Sequence, residues 1–142
     1  MNVAICSVVL IASCFSVLRA PYEGSRAQQS LGTWILDSLG PKQAIAGVNR
    51  YRLAGYFAQS RYETVASPDL CHYVQQRHPE VIVIEKAEND PAVLQHTITR
   101  LAQLDYTAVD RGSLPEACRD DVVVMMSKSI VPLARQPATV SR

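Results

Sequence analysis

Val81-Ile82-Val83-Ile84-Glu85 decides the fold, together with Asp90-Pro91 and the run to Leu104 that follow it after a short polar link. Four consecutive β-branched residues suit a strand buried on both faces, because no polar residue alternates with them. Asp90 and Pro91 then mark a helix start: an Asp side chain can cap a free backbone N–H, and Pro is tolerated in a first turn. Val93, Leu94, Ile98, Leu101 and Leu104 recur at helical spacing, which predicts an amphipathic helix. Residues 105–110 read as a second strand, closed by Arg111-Gly112. Ser113 to Cys118 reads as a short helix, and Val122 to Met126 as a third strand.

On the N-terminal side, Leu70, Cys71, Val74 and the stem of Arg77 share helical spacing, and Pro79 ends that helix. Its start is set by Ser60, or by Ser67 with Pro68. Tyr51 to Phe57 reads as a strand ending near a glycine, and residues 42–50 as a polar connection. The apolar run 31–39 contains Trp34 and stops at Gly40-Pro41; its length suits strand and helix equally. Residues 19–30 read as a loop or crossover. Strands alternating with helices at this spacing predict an α/β fold: a largely parallel sheet flanked by helices. The chain divides into an apolar segment 1–20, an α/β domain 21–135 and a polar tail 136–142.

Composition narrows the class. The 142 residues are 48% hydrophobic and 19% charged, which is globular and not disordered. A formal charge of +1 leaves no overall electrostatic footprint for nucleic acid or an anionic membrane. Residues 3–18 carry no charge and admit three readings. An export signal needs such an apolar core, and Ile11-Ala12-Ser13-Cys14 resembles a lipoprotein cleavage box, although no Lys or Arg precedes the core. A membrane-spanning helix needs about 20 apolar residues, so the run is short for that. A buried strand would use Val3, Ile5, Val8, Val9 and Ile11. The expected location is therefore periplasmic or envelope-associated, or cytoplasmic if the segment is a strand.

No spacing among Cys6, Cys14, Cys71 and Cys118 suits a metal site. Cys71 and Cys118 are a possible disulfide in an oxidising compartment, or two ordinary buried thiols. His72, His78 and His96 read as surface residues. No GxSxG, HExxH or GxxxxGK[ST] motif is present, so no catalytic residue, metal or cofactor is expected. Glu85, Glu88 and Asp90 follow a strand and can face a cleft, since α/β sheets bind ligands at the carboxyl ends of strands. The same three carboxylates also suit a solvated loop before a helix N-terminus.

From residue 45 onward the order of elements resembles the second lobe of a bacterial extracellular solute-binding protein, a type 2 periplasmic binding protein. Ala46 to Gly55 resembles that family's glycine-and-basic lead-in, Ser60-Arg61-Tyr62-Glu63 its next helix start, and His78-Pro79-Glu80-Val81 its approach to a strand. Leu94 to Asp110 resembles the helix and Asp-bounded strand that close the lobe, and Val122 to Leu133 the strand returning to the first lobe. Val3-Ala4-Ile5-Cys6, with Phe15-Ser16 and Pro21-Tyr22, resembles the end of the first lobe, at a wider spacing than usual.

The resemblance implies a non-enzymatic domain, truncated or divergent, that binds a small polar, amino-acid-like solute weakly or acts as an accessory module. Its partners would be that solute, a membrane transporter or another protein. It also implies that Asp110 meets the ligand amine and that backbone after Gly55, with Tyr56, Ser60 and Arg61, meets the rest. Asp110 suits a cap for the turn near Ser113 equally well. Two other classes fit parts of the chain. One is a degenerate receiver-like regulatory domain with Glu85 at the acceptor position. The other is a small exported lipoprotein of an envelope complex.

Overall fold

The computed structural model describes residues 25–130 apart from 88. The apolar segment 1–20, Glu88 and the tail 136–142 lie outside the described residues, as do Cys6, Cys14, Phe15-Ser16 and Pro21-Tyr22. The elements are α1 (25–39), β1 (Ala44–Gly47), α2 (Arg52–Phe57), β2 (Arg61–Thr64), α3 (Leu70–Arg77), β3 (Val81–Glu85), α4 (Pro91–Gln103), β4 (Tyr106–Ala108) and β5 (Val122–Ser127).

One five-stranded sheet runs in the order β2-β1-β3-β5-β4. β3 takes its place because all of its residues are buried, and the pleat sends alternate side chains to opposite layers. Val81 and Val83 pack with Leu31 and Ile35 of α1, Ala54 of α2, and Ala58 just beyond it. Ile82 and Ile84 pack with Leu70 and Val74 of α3 and Leu101 of α4. Helices thus cover both faces, α1 and α2 on one and α3 and α4 on the other. The Asp90 carboxylate accepts from Ala92 N–H at 2.8 Å with Pro91 in the first turn, as its sequence indicates.

The α/β class stands, but the sheet is mixed rather than largely parallel. β1 pairs parallel with β2 and β3, whereas β5 pairs antiparallel with both β3 and β4. A parallel return would need a crossover spanning the sheet, usually a helix. Residues 109–121 form only a 3-10 turn at Arg111–Ser113 and further turns, so the chain stays at one sheet edge and β5 runs back. The short helix expected at Ser113–Cys118 is replaced by these turns.

Four further segments differ from expectation, the first being residues 25–30, expected as part of a loop or crossover, which form the opening turns of α1. The expected strand Tyr51–Phe57 is helical: Ala54, Gly55 and Ala58 are small and buried at helical spacing, so the helix settles close to the sheet. The connection 42–50 contains β1, whose Ala-Ile-Ala-Gly composition has weak strand propensity and is held by two parallel neighbours. Ser60 precedes a strand, β2, instead of a helix.

Cys71 and Cys118 do not form a disulfide. Cys71 packs in the layer of α3 and α4, Cys118 in the layer of α1 and α2, and the sheet lies between them. No helix among the described residues is long and apolar enough to cross a membrane.

Candidate functional site

β1 leads out through α2 to β2 on one side, and the chain then crosses to β3 on the other side of β1. Strand order reverses between β1 and β3, and open α/β sheets hold ligands in the crevice at the carboxyl ends of such a pair. Gly47 ends β1 opposite Val83, leaving β3 to extend to Glu85. Residues Asn49–Tyr51 turn at that level and bring Arg50 to Glu85.

Glu85 shares the face of Val81 and Val83 and is 1% exposed. Its Oε1 accepts a hydrogen bond from Arg50 Nη1, while Oε2 is buried with no partner among the described residues. An unpaired buried carboxylate oxygen costs free energy, so it is the kind of group that marks a ligand position. The Arg50 side chain is 57% exposed, leaving its other N–H donors toward solvent. The neighbouring carboxylate holds the guanidinium pKa above its ordinary value, first by the hydrogen bond and then by charge.

The 109–121 segment borders the site. Lys86 N–H donates to Asp121 carbonyl at 2.8 Å, and Lys86 Nζ to Arg119 carbonyl at 3.2 Å. Arg119 Nε is the second buried side-chain polar atom without a partner among the described residues. Asn89 Nδ2 donates to the Glu85 carbonyl at 2.7 Å and fixes the loop that leaves β3. A carboxylate oxygen and a guanidinium nitrogen, both buried and without a partner among the described residues, therefore belong to the carboxyl end of the sheet.

Two tyrosines floor this corner. Tyr51 is 2% exposed, and Tyr62 Oη donates to Val48 carbonyl at 2.7 Å. Burial raises both phenol pKa values, and Asp121 adds to the effect at Tyr51, so both stay neutral donors near neutral pH. A Cβ on Gly47 would lie 2.4 Å from Tyr62 Oη and 2.8 Å from Val83 carbonyl. Only glycine lets the ring reach beneath the strand end.

The residues implied by resemblance do not converge. Asp110 accepts from Gly112 N–H at 3.0 Å and caps the Arg111–Ser113 turn, on the carboxyl side of the sheet. Gly55 lies inside α2, where a Cβ would stand 2.5 Å from Tyr62 Cβ, so its role there is close packing. Tyr56 projects outward from α2. Ser60 and Arg61 sit at the opposite, amino end of the parallel strands, where Ser60 Oγ accepts from Gln43 N–H and Arg61 pairs with Glu63. Glu85 was legible as an acid at a strand end, and Arg50 as a basic residue after a glycine. Their pairing was not legible, because 35 residues separate them.

Buried titratable groups in the two layers give a pH expectation. Burial pushes the Cys118 thiol up to about 11, and Tyr106, whose Oη donates to Pro79 carbonyl at 2.6 Å, up to about 12. Both folded-state pKa values exceed the unfolded ones, so the unfolded chain loses these protons first. Stability is then complete below the ordinary thiol value and falls from about pH 9 to about pH 12. Urea midpoints measured across that range should show the fall, and Cys118→Ala should remove its first part.

Among the described residues no group of three His, Cys, Asp or Glu side chains is placed to hold a metal ion. Comparisons with protein-family models, with curated proteins and with solved structures find no match.

Proposed function

We propose that this domain binds a small polar, amino-acid-like solute at the carboxyl edge between β1 and β3, without chemistry on it. The observation that carries the reading is Glu85 Oε2, buried and without a partner among the described residues, beside a guanidinium that is more than half exposed. A solute ammonium or hydroxyl would donate to that oxygen, and a solute carboxylate would meet Arg50, whose planar fork suits two-point contact. The open edge of a single sheet buries less of a ligand than a closing cleft, which fits weak binding or an accessory role in an envelope complex or beside a transporter.

The test is a thermal-shift panel of amino acids and polyamines at millimolar concentration. A stabilising hit is expected, and Glu85→Gln should remove it while leaving the fold intact, since Gln keeps the shape and loses the anionic acceptor. Asp110→Ala should remove the hit only if the ligand amine lies at that loop instead. A panel without any hit would count against solute binding altogether.

A further inference from the structure

β2 is an edge strand: β1 pairs with one side of it, and no strand among the described residues pairs with the other. Arg61 N–H donates to Gln43 carbonyl at 3.1 Å, and Val65 N–H to Gly47 carbonyl at 3.0 Å. Residues 61, 63 and 65 thus turn their backbone groups toward β1, and in a parallel pair the residues between them face away. Tyr62 and Thr64 therefore present N–H and C=O groups along the outer side, a row on which another strand can pair.

The side chains of this strand are complementary to themselves. Arg61 and Glu63 stand two residues apart on one face and pair with each other. A second β2 laid antiparallel must join outward-facing residues to outward-facing residues, so its two-fold axis passes through one residue. Centred on Tyr62, Arg61 of each copy stands opposite Glu63 of the other, in the closer kind of pair, with Cα atoms about 4.5 Å apart. Centred on Arg61 or on Glu63, like charges meet. Centred on Thr64, Glu63 faces Val65 and loses its opposite charge. Charge selects the register at Tyr62.

α2 adds a second observation on the same side. A Cβ on Gly55 would stand 2.5 Å from Tyr62 Cβ, so the helix lies over β2. Its inner flank meets α1, where a Cβ on Gly32 would stand 2.4 Å from Ala54 carbonyl and 2.6 Å from Phe57 Cβ. Around the helix Tyr56 lies about 100° from Phe57 and about 160° from Ala54, away from that flank. It is 79% exposed, above the free edge of β2. We propose that two copies of this chain join antiparallel through β2, centred on Tyr62, into one continuous sheet. The two Tyr62 residues exchange backbone hydrogen bonds, Arg61 and Glu63 pair across the joint, and the second α2 covers Tyr56. Charges usually blunt an edge; here they reject the wrong registers and admit one.

Sedimentation velocity of the full chain, from micromolar to millimolar concentration, tests this. A reversible monomer–dimer equilibrium is expected. Arg61→Glu and Glu63→Arg each set like charges opposite one another in this register, and each should weaken the dimer roughly 10-fold or more. Mixed in equal amounts, the two variants should form a heterodimer about as tight as the unsubstituted dimer, because every opposing pair is again of opposite charge. In the unsubstituted chain, amide exchange at Tyr62 and Thr64 should slow as concentration rises. A chain that stays monomeric at millimolar concentration, an association that both variants retain, or a mixture that fails to pair overturns the proposal. Exchange at Tyr62 and Thr64 that is already slow in dilute monomer would mean that the chain covers its own edge, and would equally overturn it.

Discussion

Arg50→Ala is expected to destabilise the fold by about 2–3 kcal/mol, whereas Glu85→Met costs less than about 1 kcal/mol. The asymmetry follows from where each charge sits. Glu85 is 1% exposed and Arg50 57% exposed, so losing Arg50 strands a buried carboxylate whose second oxygen has no partner among the described residues. Losing Glu85 releases a guanidinium that water solvates at once, and a methionine of similar volume fills the space among apolar neighbours. The Arg50→Ala loss falls below the roughly 3–5 kcal/mol that breaking a fully buried pair costs, because half of this pair faces solvent. Urea unfolding with an unchanged slope measures both. Equal losses would mean that mutual attraction dominates, and burial of the carboxylate would no longer single out this corner.

Gly47→Ala should cost about 3 kcal/mol, from overpacking together with loss of a buried hydrogen bond. The added Cβ meets Tyr62 Oη at 2.4 Å and Val83 carbonyl at 2.8 Å, and the second contact is backbone inside the sheet. Moving the tyrosine aside breaks its bond to Val48 carbonyl, which keeps only Tyr51 N–H at 3.1 Å, and takes the Tyr62 hydroxyl away from its acceptor. Tyr62→Phe removes the nearer clash and should itself cost about 1 kcal/mol. In the double variant the penalties should sum to less than their total, by about 1 kcal/mol, because contacting residues do not act additively. Strict additivity would show that the strand end relaxes without help from the ring.

The α/β class and the central strand were legible because their signals are local. Val81 to Ile84 admit little else, and Asp90-Pro91 caps α4 with its own side chain. β1 and β2 were not legible for the opposite reason. Four residues of Ala-Ile-Ala-Gly and four of Arg-Tyr-Glu-Thr have no strand pattern of their own, and both exist because they pair with each other in register from Ala44 opposite Arg61. α2 misled because Tyr51, Tyr56 and Phe57 favour strands in isolation, while burial of Ala54, Gly55 and Ala58 decided the matter. The direction of β5 depended on how the 109–121 link folds, which no periodicity reports. Of the site, each residue type was readable, but the Arg50–Glu85 pairing needs the β1–β3 register and could not be read from the order of residues alone.

The central claim is that the corner formed by Gly47, Arg50 and Glu85 is where a solute binds. Backbone amide resonances followed by NMR during titration with the solute that gives the largest thermal shift test it most directly. Saturable shifts are expected at Gly47–Arg52, Glu85–Lys86 and Cys118–Val122, and should vanish in Glu85→Gln. Shifts confined to Ser60–Arg61 at the other end of the strands, or no saturable shift at millimolar solute, would contradict it.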